Sequence, residues 1–467
     1  HGLAFAYLPV RPGQVDDAQA RRFAELLREL PAPVLAFCRT GNRSGQLFEH
    51  ARALGLLKPD RDHAEILVLG GGAAGIGVSA SLLRRRPDLD IAIVEPSDRH
   101  YYQPAWTLVG GGAFDIDDTV RETASLMPRG ARWIRDAVAS IDPEQRQVRL
   151  AGGRVLTYGH LIVSLGLELC WEAIEGLEET LGEHGVTSNY RFDLAPYTWA
   201  LVRNLKSGTA LFTQPPMPIK CAGAPQKAMY LSCDHWLRQG RLNDIHVEFN
   251  NAGAVLFGVE TFVPPLMKYV ERYGAKLAFQ STLVRVDGPA GKAWFDVKTA
   301  DGTVSRVEKS FDMLHVVPPQ RAPDVVRKSL LADAAGWCEV DQFTLRHPRF
   351  PEVFSLGDVC SSPNAKTAAA VRKQIVVVAE NLLAAVDDKP LPTRYDGYGS
   401  CPLTVERGRI VLAEFGFGGK LLPTFPLDPV VPRRAAWFLK AVMLPQIYWH
   451  LMLKGREWLA RPSQPGQ

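Results

Sequence analysis

The sequence predicts a doubly wound α/β protein built from two tandem Rossmann-like nucleotide-binding-type domains, and three observations carry that expectation. Ala64-Glu65-Ile66-Leu67-Val68-Leu69 is an apolar run that ends in Gly70-Gly71-Gly72-Ala73-Ala74-Gly75 and continues in helix-compatible residues to Arg86. Asp90-Ile91-Ala92-Ile93-Val94 is a second strand closing on an acid, Glu95. Thr209-Ala210-Leu211-Phe212-Thr213 repeats the strand signal in mid-chain, ahead of a helical stretch at Ala228–Trp236.

In the first unit Gly70, Gly72 and Gly75 fit the dinucleotide fingerprint, in which glycines permit the turn, let the backbone approach a pyrophosphate and allow close helix–strand packing. Ala73 and Ala74 begin the helix whose free N–H groups face the phosphates. Glu95 stands where a carboxylate accepts the ribose hydroxyls. Two further segments make the fingerprint specific for FAD. Tyr158–Gly166 is a short apolar strand closing on Gly166, and Pro351-Glu352-Val353-Phe354-Ser355-Leu356-Gly357-Asp358 ends in the carboxylate expected to hold the ribityl chain. Lys366 and Thr367 then open a helix aimed at the pyrimidine end of the isoalloxazine, where positive charge stabilises the reduced flavin. The fold class is thus a two-dinucleotide-binding-domain flavoprotein of the FAD/NAD(P) type.

The second nucleotide-binding-like domain lacks its glycine turn. Gln214-Pro215-Pro216-Met217-Pro218 follows the strand, and three prolines in four residues cannot form a turn feeding a helix N-terminus. Lys220-Cys221-Ala222-Gly223-Ala224-Pro225 comes instead, with Lys227 just beyond. Cationic neighbours and a helix start lower a thiol pKa and enrich the nucleophilic thiolate. A free cysteine is more often a small buried residue, but this setting makes Cys221 a candidate nucleophile and Lys227 its charge partner. Cys360, two residues after Asp358, is expected close to the flavin and so near Cys221. Cys170, Cys233, Cys338 and Cys401 lie outside recognised motifs and are expected to be packing residues.

Lys220–Lys227, the Gly357-Asp358 strand with Lys366-Thr367-Ala368-Ala369-Ala370, His315-Val316-Val317-Pro318-Pro319 and Tyr448–Gly455 together resemble sulfide:quinone oxidoreductase, the subgroup with the mitochondrial enzyme above all. The likeness spans roughly residues 64–460. It implies an FAD enzyme that oxidises sulfide to protein-bound sulfane sulfur, as persulfide or polysulfide, through a redox-active cysteine pair, and passes two electrons to a membrane quinone. Cys221 and Cys360 take the cysteine roles, although Val359 sets Cys360 one residue beyond the family spacing. A small thiol or sulfite is the implied sulfur acceptor. The implied location is monotopic, on a bacterial cytoplasmic or mitochondrial inner membrane.

Between Arg433 and Ala460 the chain is rich in aromatic and aliphatic residues and is interrupted by Pro445, which predicts two short helices. The uncharged run Ala441–Leu453 is far below the ~20 apolar residues needed to span a bilayer. Trp437, Phe438, Tyr448 and Trp449 are expected at the quinone entry and membrane surface, with Arg433, Arg434, Lys440, Lys454, Arg456 and Arg461 attracting anionic lipid. The competing use of this segment is docking on the enzyme's own core or on a second subunit of a homo-oligomer.

The first 60 residues form a separate expectation. Val34-Leu35-Ala36-Phe37 reads as a buried strand ending in Cys38, followed by a glycine-containing loop and Arg43 before a helix. Cys38 and Arg43 would form an anion loop beside a reactive thiolate, resembling a small phosphatase-like or rhodanese-like domain. The chain begins at His1 rather than Met, so only the back part of such an α/β domain is expected.

The expected division is therefore 1–58 for this truncated domain, a linker at Leu57–His63, an FAD domain from 64–195 and 311–390, an inserted domain at 196–310 and a membrane-facing region at 391–467. The 467 residues suit roughly two to four domains at ~100–200 residues each. A net charge of +4 is too small to argue for a nucleic-acid partner. Seven cysteines without paired CxxC spacing exclude a zinc site and a secreted disulfide framework. Two rival readings stay open: a type II NADH:quinone oxidoreductase, which needs a glycine fingerprint near 209–235, and a non-catalytic flavin redox sensor, which would not need Cys221. A flavocytochrome-type sulfide dehydrogenase would need a haem partner, and the chain has no C-x-x-C-H.

Overall fold

The computed structural model describes residues 4–11, 15–30, 34–38, 41–54, 56 and 62–461, and the chain separates at His63 into two units. In the first, helix Asp17–Glu29 opens with a capping box: Asp16 accepts from the Gln19 N–H, and the Gln19 side chain accepts from the Asp16 N–H. Helix Asn42–Ala53 follows Gly41, and Ala20, Phe23, Leu47 and Ala51 close a small core. The buried strand expected at Val34–Phe37 does not form. Among the described residues it has no ladder neighbour, and Leu35 and Phe37 are 83% and 72% exposed. Arg43 donates a guanidinium N–H to the Val10 carbonyl at 3.1 Å, and residues 39–40 of the expected anion loop lie outside the described residues. Two helices and an isolated bridge at Arg11 are seen here among the described residues, and residues 57–61 of the expected linker lie outside them.

The second unit holds two doubly wound layers. The strands of the larger sheet run Ala131–Ile134, Ile91–Val94, His63–Leu69, Val155–Val163, Gln147–Leu150, Val138–Asp142, with Val353–Ser355 added in parallel to Val155–Val163. The parallel strands are apolar on both faces because both are covered, one by helices and the other by the Val138–Asp142 and Gln147–Leu150 strands with Ala322, Val326, Leu331 and Trp337, and all of Ile91–Val94 is buried. Helices Ala73–Arg85 and Ala368–Val386 pack on this sheet; the latter is capped by Thr367, whose hydroxyl accepts from the Ala370 N–H.

The smaller sheet is wholly parallel, in the order Val186–Thr187, Met313–His315, Gly208–Gln214, Ile245–Asn251, Lys276–Phe279. Val186–Thr187 and Met313–His315, at one side of the sheet, lie beyond the expected 196–310 boundary, because a two-residue and a three-residue strand carry too little pattern to be assigned from sequence. Helix Ala224–Arg238 covers one face, with Pro225 in its first turn, where a missing N–H costs nothing.

A two-stranded hairpin, Gly399–Glu406 with Arg409–Phe415, joins the layers. Its register pairs Ser400 with Glu414 and Cys401 with Ala413. Side chains alternate across the strands, so Cys401, Leu403 and Ala413 join the core against Ala224–Arg238, while Ser400, Pro402, Leu412 and Glu414 face the opposite way into a large cavity.

The C-terminal segment is one helical run rather than two helices broken at Pro445. Arg434–Phe438 passes through a π-helical turn, Leu439–Met443, into Leu444–His450, and Pro445 sits at the start of that last stretch. The π turn shifts the hydrogen-bond pattern just before the proline, which absorbs its missing donor. No helix among the described residues is long and apolar enough to cross a membrane.

Candidate active site

A cavity of about 1020 Å³ runs through the second unit, from the Gly70–Ala74 turn to Cys221, and on to the C-terminal segment at Lys440 and Tyr448. Its first end is a nucleotide cradle. Gly70 has φ +97, and a Cβ there would fall 2.6 Å from the Ser164 carbonyl; a Cβ on Gly75 would fall 1.8 Å from the Gly70 carbonyl. Gly72 caps Ala73–Arg85 without a side chain, and its Cβ position is open space, so the first-turn N–H groups remain available to a phosphate. Glu95 lines the cavity and accepts from the Gly71 N–H at 2.7 Å and the Ser97 N–H at 2.8 Å. Gly166 and Asp358 border the same space. These residues fit FAD: a pyrophosphate cradle, a ribose acceptor and a distal carboxylate, in the order the cofactor needs. Lys366, by contrast, is engaged: its ammonium donates to the carbonyls of Asp358 (2.6 Å) and Cys360 (3.0 Å) and lies 4.0 Å over the Trp337 ring. It braces the Gly357–Asp358 turn at the edge of the cavity.

The second layer has no comparable cradle. Gly208–Gln214 runs into the prolines and then into Cys221, held at φ +83, an unusual backbone for a residue with a side chain. Cys221 Sγ lies 3.7 Å from Cys401 Sγ, and the Lys227 ammonium lies 3.4 Å from Cys221 Sγ. The Cys401 hydrogen bond, Lys227 and Lys440 hold the Cys221 thiol well below its ordinary range, against the opposing effect of burial. The same hydrogen bond and burial push Cys401 up. Of the two thiols, Cys221 therefore carries the negative charge and faces the cavity.

Cys360 is not the partner of Cys221. A turn in which the Cys360 N–H bonds to the Gly357 carbonyl (3.3 Å) folds it away from the cavity and into a bridge with Cys338, where it is 1% exposed. Burial pushes its thiol up. Sequence reasoning missed Cys401 because the contact is made across the hairpin; the period-two run Cys401, Leu403, Val405 marks it only as core-facing.

Lys440, expected on the lipid side, is buried at the cavity wall and donates to the Pro104 carbonyl at 3.4 Å. Burial, reinforced by Lys227, lowers it to about 7. Lys220 is also lowered, to about 8, by burial; it donates to Gln103 and lies 5.3 Å over the Tyr190 ring. Trp449 is buried rather than interfacial, packed with Tyr448 against His100 and Tyr102. Tyr448 does border the cavity, and its hydroxyl is 2.6 Å from His100 Nε2, while His100 Nδ1 is 3.2 Å from the Gly71 carbonyl. Only a hydrogen on Nδ1 serves that carbonyl, so Nε2 accepts from Tyr448. Phe438, Val442, Trp458 and Leu459 remain about half exposed, and Trp437 is half-buried.

No family model matches the chain. Over 395 residues it is 40% identical to the mitochondrial sulfide:quinone oxidoreductase of Mus musculus, spanning 85% of this chain and 87% of that protein. Over 401 residues it is 41% identical to the mitochondrial sulfide:quinone oxidoreductase of Dictyostelium discoideum, with the same coverage. The crystal structure of sulfide:quinone oxidoreductase from Aquifex aeolicus shares the fold, with a TM-score of 0.68 at 18% identity over 85% of this chain and 91% of that one. With relatives of that identity across most of its length, the chain belongs to the sulfide:quinone oxidoreductase family.

Proposed function

We propose that the chain oxidises sulfide at the Cys221–Cys401 pair and delivers the electron pair, through FAD, to a membrane quinone. One observation carries this reading: two thiols lie 3.7 Å apart, and one of them, Cys221, is held as thiolate by lysines and lines the cavity that also contains the nucleotide cradle. FAD, when bound, supplies the two-electron carrier between sulfur and quinone.

The chain's residues divide the remaining work. In the oxidised enzyme Cys221 and Cys401 are joined through sulfur, and hydrosulfide attacks that bridge. The thiol with the lower pKa is the better leaving group, so Cys221 departs as thiolate and the incoming sulfur stays on Cys401 as a persulfide. Lys227 and Lys440 neutralise the thiolate on its release into the cavity. The Cys221 thiolate then bonds the outer sulfur of the Cys401 persulfide, which loses its proton, a two-electron oxidation for which bound FAD would be the acceptor, and a small thiol or sulfite removes the bridging sulfane sulfur to restore the starting bridge. Quinone enters where the apolar residues of the C-terminal segment, Leu439, Leu444 and Ile447, border the cavity. The half-exposed Phe438, Val442, Trp458 and Leu459, with Arg434 and Arg456 exposed nearby in sequence, rest on the membrane surface.

The test is the anaerobic flavin spectrum. Sulfide should bleach the flavin, and a soluble quinone should restore it; Cys401→Ser should retain FAD yet resist bleaching. Bleaching by NADH and not by sulfide would show instead a type II NADH:quinone oxidoreductase.

A further inference from the structure

Reducing a quinone takes two protons as well as two electrons, and the thiol pair accounts only for the electrons. The face of the Gly399–Glu406 and Arg409–Phe415 hairpin opposite Cys401 carries a carboxylate, Glu414, which borders the large cavity and is only 4% exposed. Its oxygens accept from the Tyr398 hydroxyl, the Thr424 hydroxyl and, at 3.0 Å, the Thr424 N–H. Among the described residues it has no cationic partner: the nearby Lys373 ammonium is 3.4 Å from Asp396 and 4.2 Å over the Tyr398 ring. A buried carboxylate held by hydrogen bonds alone is expensive to keep for structure.

A second cavity, of about 540 Å³, adjoins the first and is bordered by Lys373, Glu457, Arg461 and Thr424. Thr424 borders both cavities and is the residue that bonds Glu414. The Glu414 carboxyl is thus one hydroxyl away from an open space bordered by Lys373, Glu457 and Arg461 as well as by leucines, and itself borders the large cavity, whose wall also includes Phe425, Leu439 and Leu444.

We propose that Glu414 hands protons to the quinone, and that the Thr424 hydroxyl reloads it from the smaller cavity. This rests on quinone being the electron acceptor. In the overall step hydrosulfide, one proton and quinone give enzyme-bound sulfane sulfur and quinol. The electron pair leaves sulfide through the thiols and the cofactor. Glu414, loaded from solvent water through Thr424, gives a proton to one quinone oxygen, becomes the carboxylate that Tyr398 and Thr424 solvate, and is loaded and emptied once more at the second oxygen; the proton of hydrosulfide leaves to solvent at the thiols, so that one proton is taken up net. Burial, with the Glu414 charge beside it, pushes the Tyr398 phenol up, so it stays a donor to that carboxylate.

The experiment separates the two half-reactions in full-length holoenzyme by stopped flow. Glu414→Gln is expected to leave sulfide-driven flavin reduction at the wild-type rate and to slow reoxidation by decylubiquinone at least tenfold. Reoxidation by ferricyanide, which takes electrons without protons, should be unchanged. Thr424→Val should slow the quinone step several-fold with the same ferricyanide control. Reoxidation of Glu414→Gln by quinone at the wild-type rate would overturn the proposal, as would an equal loss with ferricyanide, which would mark Glu414 as a structural residue. A wild-type enzyme that sulfide reduces but no quinone reoxidises would overturn the functional reading and this proposal with it.

Discussion

Cys221 and Cys401 meet 3.7 Å apart although 180 residues separate them, one just before a helix and the other on a hairpin strand packed against that helix. Their environments drive the two thiols in opposite directions, which makes them inequivalent before any substrate arrives. Cys221→Ser and Cys401→Ser should each lower sulfide-dependent quinone reduction by about 10²-fold or more while FAD stays bound. Cys360→Ser should stay within about twofold of wild type in a steady-state assay, since Cys360 packs on Cys338 outside the cavity.

The lysines set the charge on Cys221. The rate of Cys221 alkylation by iodoacetamide in reduced apoprotein should persist well below the ordinary thiol range in wild type. In Lys227→Met it should fall away at distinctly higher pH, because a cation favouring the thiolate has been removed. An unchanged profile would remove Lys227 from this role.

Lys440 gives a test with a definite sign. Its folded-state value is lowered from 10.5 to about 7. Between those values the unfolded chain carries a proton that the folded chain lacks, so stability rises as pH climbs through this window and the burden of Lys440 is greatest below it. Lys440→Met should raise unfolding free energy by about 1–3 kcal/mol at pH 6, with the gain shrinking toward pH 10 in urea titrations.

Gly72 and Gly75 should fail differently. Gly75→Ala drives a methyl into the Gly70 carbonyl and should lower the melting temperature even without cofactor. Gly72→Ala has room in the empty turn, so the apoprotein should melt as wild type, yet its methyl stands where a pyrophosphate approaches. Flavin fluorescence titration should show at least tenfold weaker FAD binding.

Membrane docking should depend on Phe438 and Trp458 and not on Trp449. Phe438→Ser with Trp458→Ser should cut cosedimentation with anionic phospholipid vesicles roughly tenfold, since these side chains are half exposed. Trp449→Ala should instead destabilise the fold, by roughly 3–5 kcal/mol in denaturant titration, because that ring is buried against His100 and Tyr102.

The nucleotide cradle was legible because it is local: strand, glycine turn, helix and acid follow one another within about 30 residues, and Gly70 and Gly75 each have a backbone reason to be there. The absent second cradle was legible for the same cause. Cys221 and Lys227 belong to one helix start, so their proximity needed no tertiary knowledge. Cys401 and Lys440 reach the site from elements joined only by packing, and nothing in the local pattern around either one points at Cys221. Proximity in sequence to Asp358 misled the assignment of Cys360, since one tight turn reverses the chain between them. At Pro445 the residue was read correctly and its consequence was not, because a π turn absorbs it. At Val34–Phe37 an apolar run alone does not supply the neighbouring strand that a ladder requires.

The hairpin that carries Cys401 toward one side and Glu414 toward the other has a bulge between Thr404 and Glu406. Side chains alternate with a period of two, so losing a single residue at that bulge would turn Cys401 outward and bring Ser400 or Pro402 round to Cys221. This hairpin should therefore accept substitutions far more readily than a change in its length, since a deletion of one residue at the bulge would turn Cys401 to the face that carries Glu414.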